Sequence, residues 1–168
     1  MTVCSLHTPD PAVPFAESIG ALDDLRREGK IRHVGVSSVT LEQLAEARAI
    51  TPVSTVQNRL DLTNRRWRDM LTECESHGIG FVPYRPLRAW DDAMQQQALA
   101  GPAARHDTDA DQVALAWLLA ISPVTLAIPG TATRAHLEAN VAAAALELDP
   151  DEVDAISAAA AGASLAKR

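Results

Sequence analysis

Apolar positions along this chain fall into two alternating patterns: short continuous runs, and longer stripes at helical spacing. Polar residues follow each run. Val3 to Leu6 is the first run, and strands buried on both faces read as continuous apolar stretches of this kind. It stops at His7-Thr8-Pro9-Asp10-Pro11. Phe15, Ile19, Leu22 and Leu25 then recur at spacings of four, three and three, which predicts a helix from about Pro14 to Glu28 closed by Gly29.

The alternation continues. Ile31 to Val36 predicts a second strand ending at Ser37-Ser38, and Thr40 with Gln43 forms a capping box for a helix reaching about Ile50. Val53 to Gln57 is a β-branched run that closes on the amides Gln57 and Asn58, and Trp67, Met70, Leu71 and Cys74 mark the next helix. Ile79 to Val82 predicts a fourth strand running into Tyr84-Arg85-Pro86-Leu87. From Arg88 to Thr108 the periodicity lapses, so a long loop is expected with a short helix around Asp91 to Leu99.

Thr108 and Asp111 suit the cap of a helix carrying Val113, Ala116, Trp117 and Ala120. Val124 to Ile128 predicts a fifth strand that ends at Pro129-Gly130-Thr131. Thr133 opens a helix carrying Leu137, Asn140, Val141 and Ala144, and Asp149-Pro150-Asp151-Glu152 opens the last one. The alanine-rich stretch from Ser157 is expected to fray. Five strand–helix repeats demand a parallel α/β sheet with helical crossovers, open or part of a barrel. No linker divides residues 1–168, which are read as one domain.

Composition narrows the functional classes. A net charge of −7 argues against a broad nucleic-acid or anionic-membrane surface. No stretch approaches the ~20 apolar residues of a membrane span, and a secretory leader is not evident, so a cytoplasmic location is expected. Cys4 and Cys74 fall in apolar patterns and read as small buried hydrophobes, in keeping with a reducing compartment. No metal-ligand set is assigned.

The motifs carry more than the periodicity does. His7-Thr8-Pro9-Asp10-Pro11, Gly29-Lys30-Ile31-Arg32-His33-Val34-Gly35-Val36-Ser37, Val56-Gln57-Asn58, Val82-Pro83-Tyr84-Arg85-Pro86-Leu87 and Ile128-Pro129-Gly130-Thr131 occur in that order. Together they resemble the aldo-keto reductase family, from about the first residue to Ile156. The resemblance implies part of an eight-stranded (β/α)8 TIM barrel that passes hydride from a nicotinamide cofactor, usually NADPH, to aldehydes and ketones. It matches the C-terminal part of that barrel, strands four to eight, with strands one to three missing.

The site residues follow from the same resemblance. His7 matches the family's substrate-orienting histidine, a neutral imidazole able to donate to a carbonyl oxygen. The family's aspartate, acid tyrosine and lysine fall in the missing part, and Tyr84 matches the ring that stacks on nicotinamide instead, with Pro86 and Leu87 beside it. Ser37, Ser38 and Gln57 look like the clamp on the cofactor carboxamide, Ser38 standing where the family usually has asparagine. Gly130 and Thr131 suit the phosphate at a strand-to-helix junction, Arg134 is either a substitute phosphate partner or an exposed helix-surface arginine, and Asn140 fits the adenine contact.

The resemblance therefore implies a fragment or pseudoenzyme that holds NADP, or NAD, weakly or not at all and is inactive alone. An aldehyde or ketone would be its substrate only in a completed site, which self-association or a complementing chain would supply. The alternative is a non-enzymatic module that binds a partner or a nucleotide. An active enzyme needs a substitute acid near His7, for which the sequence offers Asp10 and Asp61.

Overall fold

The computed structural model describes residues 1–87 and 93–165, in two compact units. The first comprises Met1–Asn58 and Trp67–Val82, the second Arg59–Arg66 and Pro83–Arg168.

The first unit is a parallel sheet with helical crossovers. Strands β1 (Val3–Leu6), β2 (His33–Ser37), β3 (Val53–Gln57) and β4 (Gly80–Phe81) lie in sequential order, joined by α1 (Phe15–Arg27), α2 (Leu41–Ile50) and α3 (Arg68–Ser76). The reason is burial. Val34, Val36, Val56 and Phe81 of the strands are 0% exposed, as are Ile19, Leu44, Ala47 and Cys74 of the helices, and full burial of one large aliphatic or aromatic side chain contributes roughly 1.5–3 kcal/mol. Thr40 accepts from Gln43 N while Gln43 returns the bond to Thr40 N, so α2 starts where the capping box predicts.

Two local features pin this unit. Gly35 of β2 pairs in register with Ser5 on one side and Thr55 on the other, and a methyl group there would collide with both hydroxyls. Asp23 of α1 is only 3% exposed. It accepts from Thr51 Oγ1 at 2.7 Å, Arg26 Nε at 2.9 Å and Arg27 Nε at 2.7 Å, tying α1 to the end of α2. The Thr51 hydroxyl above all, with Arg26 next, holds its carboxyl below the usual range.

The second unit is helical: α4 (Ala93–Arg105), α5 (Ala110–Ala120), α6 (Arg134–Ala142), a 3-10 turn (Ala143–Ala145) and α7 (Pro150–Leu165). Every residue of α5 from Val113 to Leu118 is buried. Trp117 Nε1 donates to Ser157 Oγ at 2.9 Å, and Arg65 donates to the Ser157 carbonyl at 2.8 Å with its guanidinium over the Trp117 ring. Arg105 and His106 at the end of α4 hold Glu152 in the first turn of α7, with Arg105 Nη2 at 2.7 Å and His106 Nε2 at 3.0 Å.

Four expectations are corrected. Val124–Ile128 is not a strand; only Thr125 forms a bridge, and Leu126 and Ile128 are 56% and 43% exposed. An apolar run becomes a strand only with a neighbour to pair, and the described sheet has four strands rather than five. The Arg88–Thr108 stretch holds a 13-residue helix, α4, because alanine- and glutamine-rich sequence has high helix propensity without an apolar stripe. Asp109 caps α5, accepting from Gln112 N at 2.9 Å, in place of Thr108. The alanine-rich segment continues α7 to Leu165 instead of fraying from Ser157, again as alanine's propensity favours. Among the described residues no helix is long and apolar enough to cross a membrane.

Two outcomes test these packings. Gly35→Ala should destabilise the protein by about 1–3 kcal/mol in urea titration, from overpacking, and adding Ser5→Gly should restore part of the loss; an unchanged midpoint would contradict the register. Glu152 is held down at about 2, against an ordinary 4.5, by the Arg105 hydrogen bond first and His106 next. Its folded-state value is depressed, so its contribution is full above pH 4.5 and fades as pH falls toward 2. Acid unfolding followed by circular dichroism should show wild type and Glu152→Gln apart above pH 4.5 and converging near pH 2.

Candidate active site at the strand ends

Parallel pairing puts the carboxyl ends of β1, β2 and β3 on one edge of the first unit, and polar residues follow all three. Leu6 pairs with Val36 and Ser37 with Gln57, so His7 stands one step past the last β1 pair, level with Ser37. His7 is exposed, with Thr8 Oγ1 3.4 Å from its Nδ1. Asp10 accepts from Ala12 N at 2.9 Å and shapes the turn that follows.

At the end of β2 the backbone is unusual. Ser38 has φ +57°, in the left-handed region that disfavours residues with a Cβ, and its N–H donates to Gln57 O at 3.0 Å. Ser38 is exposed and Gln57 half-buried, but Ser37 is only 2% exposed. The groups open to a ligand are therefore the His7 imidazole, the Ser38 hydroxyl and the Gln57 amide. An amide and a hydroxyl on adjoining strand ends are groups that can bond a planar carboxamide, and the imidazole can donate to a carbonyl oxygen.

Asn58, the next residue along, carries a role that sequence reading did not assign. It is 0% exposed. Its Oδ1 accepts from Val39 N at 3.2 Å and its Nδ2 donates to Val39 O at 2.8 Å. An amide closing a β-branched run was the available signal, but it reads equally well as a turn residue.

The remaining predicted residues belong to the second unit. Tyr84 is half-buried and forms a parallel bridge with Arg59, followed by Arg85 at φ +55°. Pro86 is buried and Leu87 half-buried. Gly130 and Thr131 are exposed, and the Thr131 hydroxyl is engaged with the Thr133 backbone, accepting from N at 3.2 Å. Thr133 caps α6 by accepting from His136 N at 3.3 Å. Arg134 pairs with Glu138 at 2.7 Å on the helix surface. Asn140 lines a cavity of about 230 Å³ with Leu115, Leu119, Thr125 and Pro129, and the buried Thr125 Oγ1 lacks a hydrogen-bond partner.

The two candidate substitute acids sit in different settings. Asp61 is 1% exposed and accepts from Thr63 N at 2.9 Å, Asn64 N at 2.8 Å and Arg59 Nε at 3.0 Å, which makes it the centre of its loop. Asp10 is exposed, with one carboxylate oxygen accepting from Ala12 N in its own turn. Among the described residues no three His, Cys, Asp or Glu side chains group as a metal site. Cys4 and Cys74 are both free thiols, and burial pushes Cys74 up to about 12.

Comparison with known proteins is consistent in direction. Residues 1–90 and 89–161 match the model of the Aldo/keto reductase family. An uncharacterized oxidoreductase of Schizosaccharomyces pombe is 40% identical over 146 residues, 87% of this chain and 48% of that protein. Pyridoxine 4-dehydrogenase of Escherichia coli is 39% identical over 80% of this chain and 46% of its own length. The crystal structure of a thermostable aldo-keto reductase with the inhibitor epalrestat superposes with TM-score 0.89 at 29% identity, over 94% of this chain and 59% of that one. An aldo-keto reductase from Klebsiella pneumoniae in complex with NADPH gives 0.82 at 28% identity, over 93% and 57%. The chain thus spans about half the length of the curated relatives it matches. These coverages do not support the narrower expectation that it represents strands four to eight, the C-terminal part of the barrel.

The left-handed Ser38 gives a direct test of the strand-end geometry. Asparagine tolerates that backbone better than serine, so Ser38→Asn should raise stability by about 0.5 kcal/mol in chemical denaturation, and a loss of stability would contradict the assigned conformation.

Proposed function

Because the chain belongs to the aldo/keto reductase family, we propose that it is a nicotinamide-dinucleotide-binding portion of a carbonyl reductase, with binding groups kept and acid–base groups lacking. The observation that carries this is the strand edge of the first unit, where His7, Ser38 and Gln57 stand open at the ends of three parallel strands. NADP is the preferred cofactor of the proposal, since the NADPH complex of the Klebsiella protein is among the close folds. When bound, the nicotinamide supplies hydride to a carbonyl carbon.

The residues present fit the cofactor in part. In the first unit Gln57 and Ser38 present the hydrogen-bonding groups that a carboxamide needs. The second unit, taken by itself, offers little to a phosphate: Gly130 and Thr131 carry no charge, the Thr131 hydroxyl is engaged, and Arg134 is paired with Glu138. Each ~1.4 kcal/mol lost is tenfold in affinity, so binding is expected to be millimolar.

Turnover requires a proton for the carbonyl oxygen as hydride arrives. His7 would orient that oxygen by donating an N–H. A tyrosine–lysine pair to supply the proton has no counterpart in this chain: Tyr84 is its only tyrosine, and its lysines are Lys30, paired with Glu28 on the surface, and Lys167, which lies outside the described residues. A positioned acid contributes typically ~10²–10⁴-fold. The chain alone is accordingly a pseudoenzyme in this reading. A second reading, a partner-binding module, rests on the exposed apolar side chains Leu126, Ile128, Leu137 and Val141 of the second unit; a stable homodimer in sedimentation without any NADPH affinity would favour it.

Titrating the chain with NADPH and NADH by fluorescence tests the binding proposal. Millimolar binding weakened about tenfold by Gln57→Ala, the loss of a carboxamide partner, is expected; tight binding unaffected by Gln57→Ala contradicts the assigned contact. Assays with NADPH and a panel of aldehydes should show no reduction above background. Turnover by the chain alone, abolished by His7→Ala, would overturn the pseudoenzyme reading.

A further inference from the structure

We infer that Asn58 is the positioning residue of the proposed carboxamide clamp: its buried side chain locks the Val39 backbone and so holds Ser38 in the left-handed conformation beside Gln57. The inference rests on the clamp reading above for its functional consequence, and on geometry alone for the lock. Asn58 spans the gap between the ends of β3 and β2 with both halves of its amide on one residue, Val39. Val39 is itself 0% exposed, so its N–H and C=O have no access to water and depend on Asn58 for partners.

The lock sits where the chain would otherwise relax. Ser38 lies between the two anchored points, its N–H on Gln57 O and the next residue on Asn58. A left-handed non-glycine residue persists only when its surroundings over-determine it, and these three hydrogen bonds do so. Their effect is to fix the exposed Ser38 on the edge that also presents Gln57. Asparagine is the side chain the position needs, because it carries a donor and an acceptor on one short planar group. Aspartate retains the acceptor for Val39 N–H but sets a second oxygen against the Val39 carbonyl.

Hydrogen exchange followed by NMR reads the lock without any cofactor. In Asn58→Asp the Ser38 and Val39 amides should exchange about 100-fold faster, while Gly35 and Val36 inside β2 keep their wild-type rates, the pattern of a local opening. Equal acceleration of all four, or none, overturns the inference. Should that variant fail to fold, the unsubstituted protein answers: slow exchange of the Asn58 side-chain NH₂ protons supports the lock, and free exchange removes it. For the clamp, NADPH is compared with its 3-acetylpyridine analogue, which lacks the carboxamide NH₂. Wild type should prefer NADPH by about tenfold, a preference lost in Asn58→Asp and regained in no variant that keeps Val39 unlocked. Equal wild-type binding of both dinucleotides would remove the clamp reading while the exchange data still decide the lock; a preference unchanged in Asn58→Asp would remove the positioning role.

Discussion

The parallel register of β1, β2 and β3 is the constraint on which the candidate site depends. Side chains alternate faces along a strand, so a slip of one residue would turn Val34 and Val36 away from the core and carry Ser37 and Gln57 out of step. Gly35 resists such a slip in a particular way, since only a residue without a side chain fits between Ser5 and Thr55. Once that pairing is set, the polar ends of three strands share an edge by geometry. His7, Ser38 and Gln57 are neighbours because their strands are, and not because any of them attracts another.

That arrangement bears directly on the proposed cofactor role. The proposed carboxamide clamp requires fixed donors and acceptors, and three hydrogen bonds of the first unit, from Ser38, Val39 and Asn58, fix the backbone there. Reducing a carbonyl requires in addition a group that can release a proton at that place. The buried acids of the described residues are engaged structurally: Asp23 fastens α1 to Thr51, and Asp61 organises the loop around Thr63 and Asn64.

Much of the first unit was legible in the sequence, because its apolar runs pair with one another and α2 carries an explicit capping box. Thr40 with Gln43, and the Val53 to Gln57 run, came out as read. The second unit was less so. Val124 to Ile128 has a strand's composition but no strand, since pairing is a property of a neighbour and not of the run. Leu137 and Val141 have the spacing of a buried stripe, yet α6 buries none of its residues. At the site, His7, Ser38 and Gln57 could be read as polar groups after apolar runs, whereas the burial of Ser37 and the Asn58 contacts to Val39 depend on tertiary packing that periodicity does not encode.

Backbone amide shifts measured by NMR during addition of NADPH test the central claim most directly, that the carboxyl ends of the parallel strands form the binding edge. The account predicts saturable shifts at His7, Ser38 and Gln57, and none at Val3, His33 or Val53, which begin the same strands. Shifts concentrated at Val3, His33 and Val53, or an unperturbed spectrum at tens of millimolar NADPH, would contradict it.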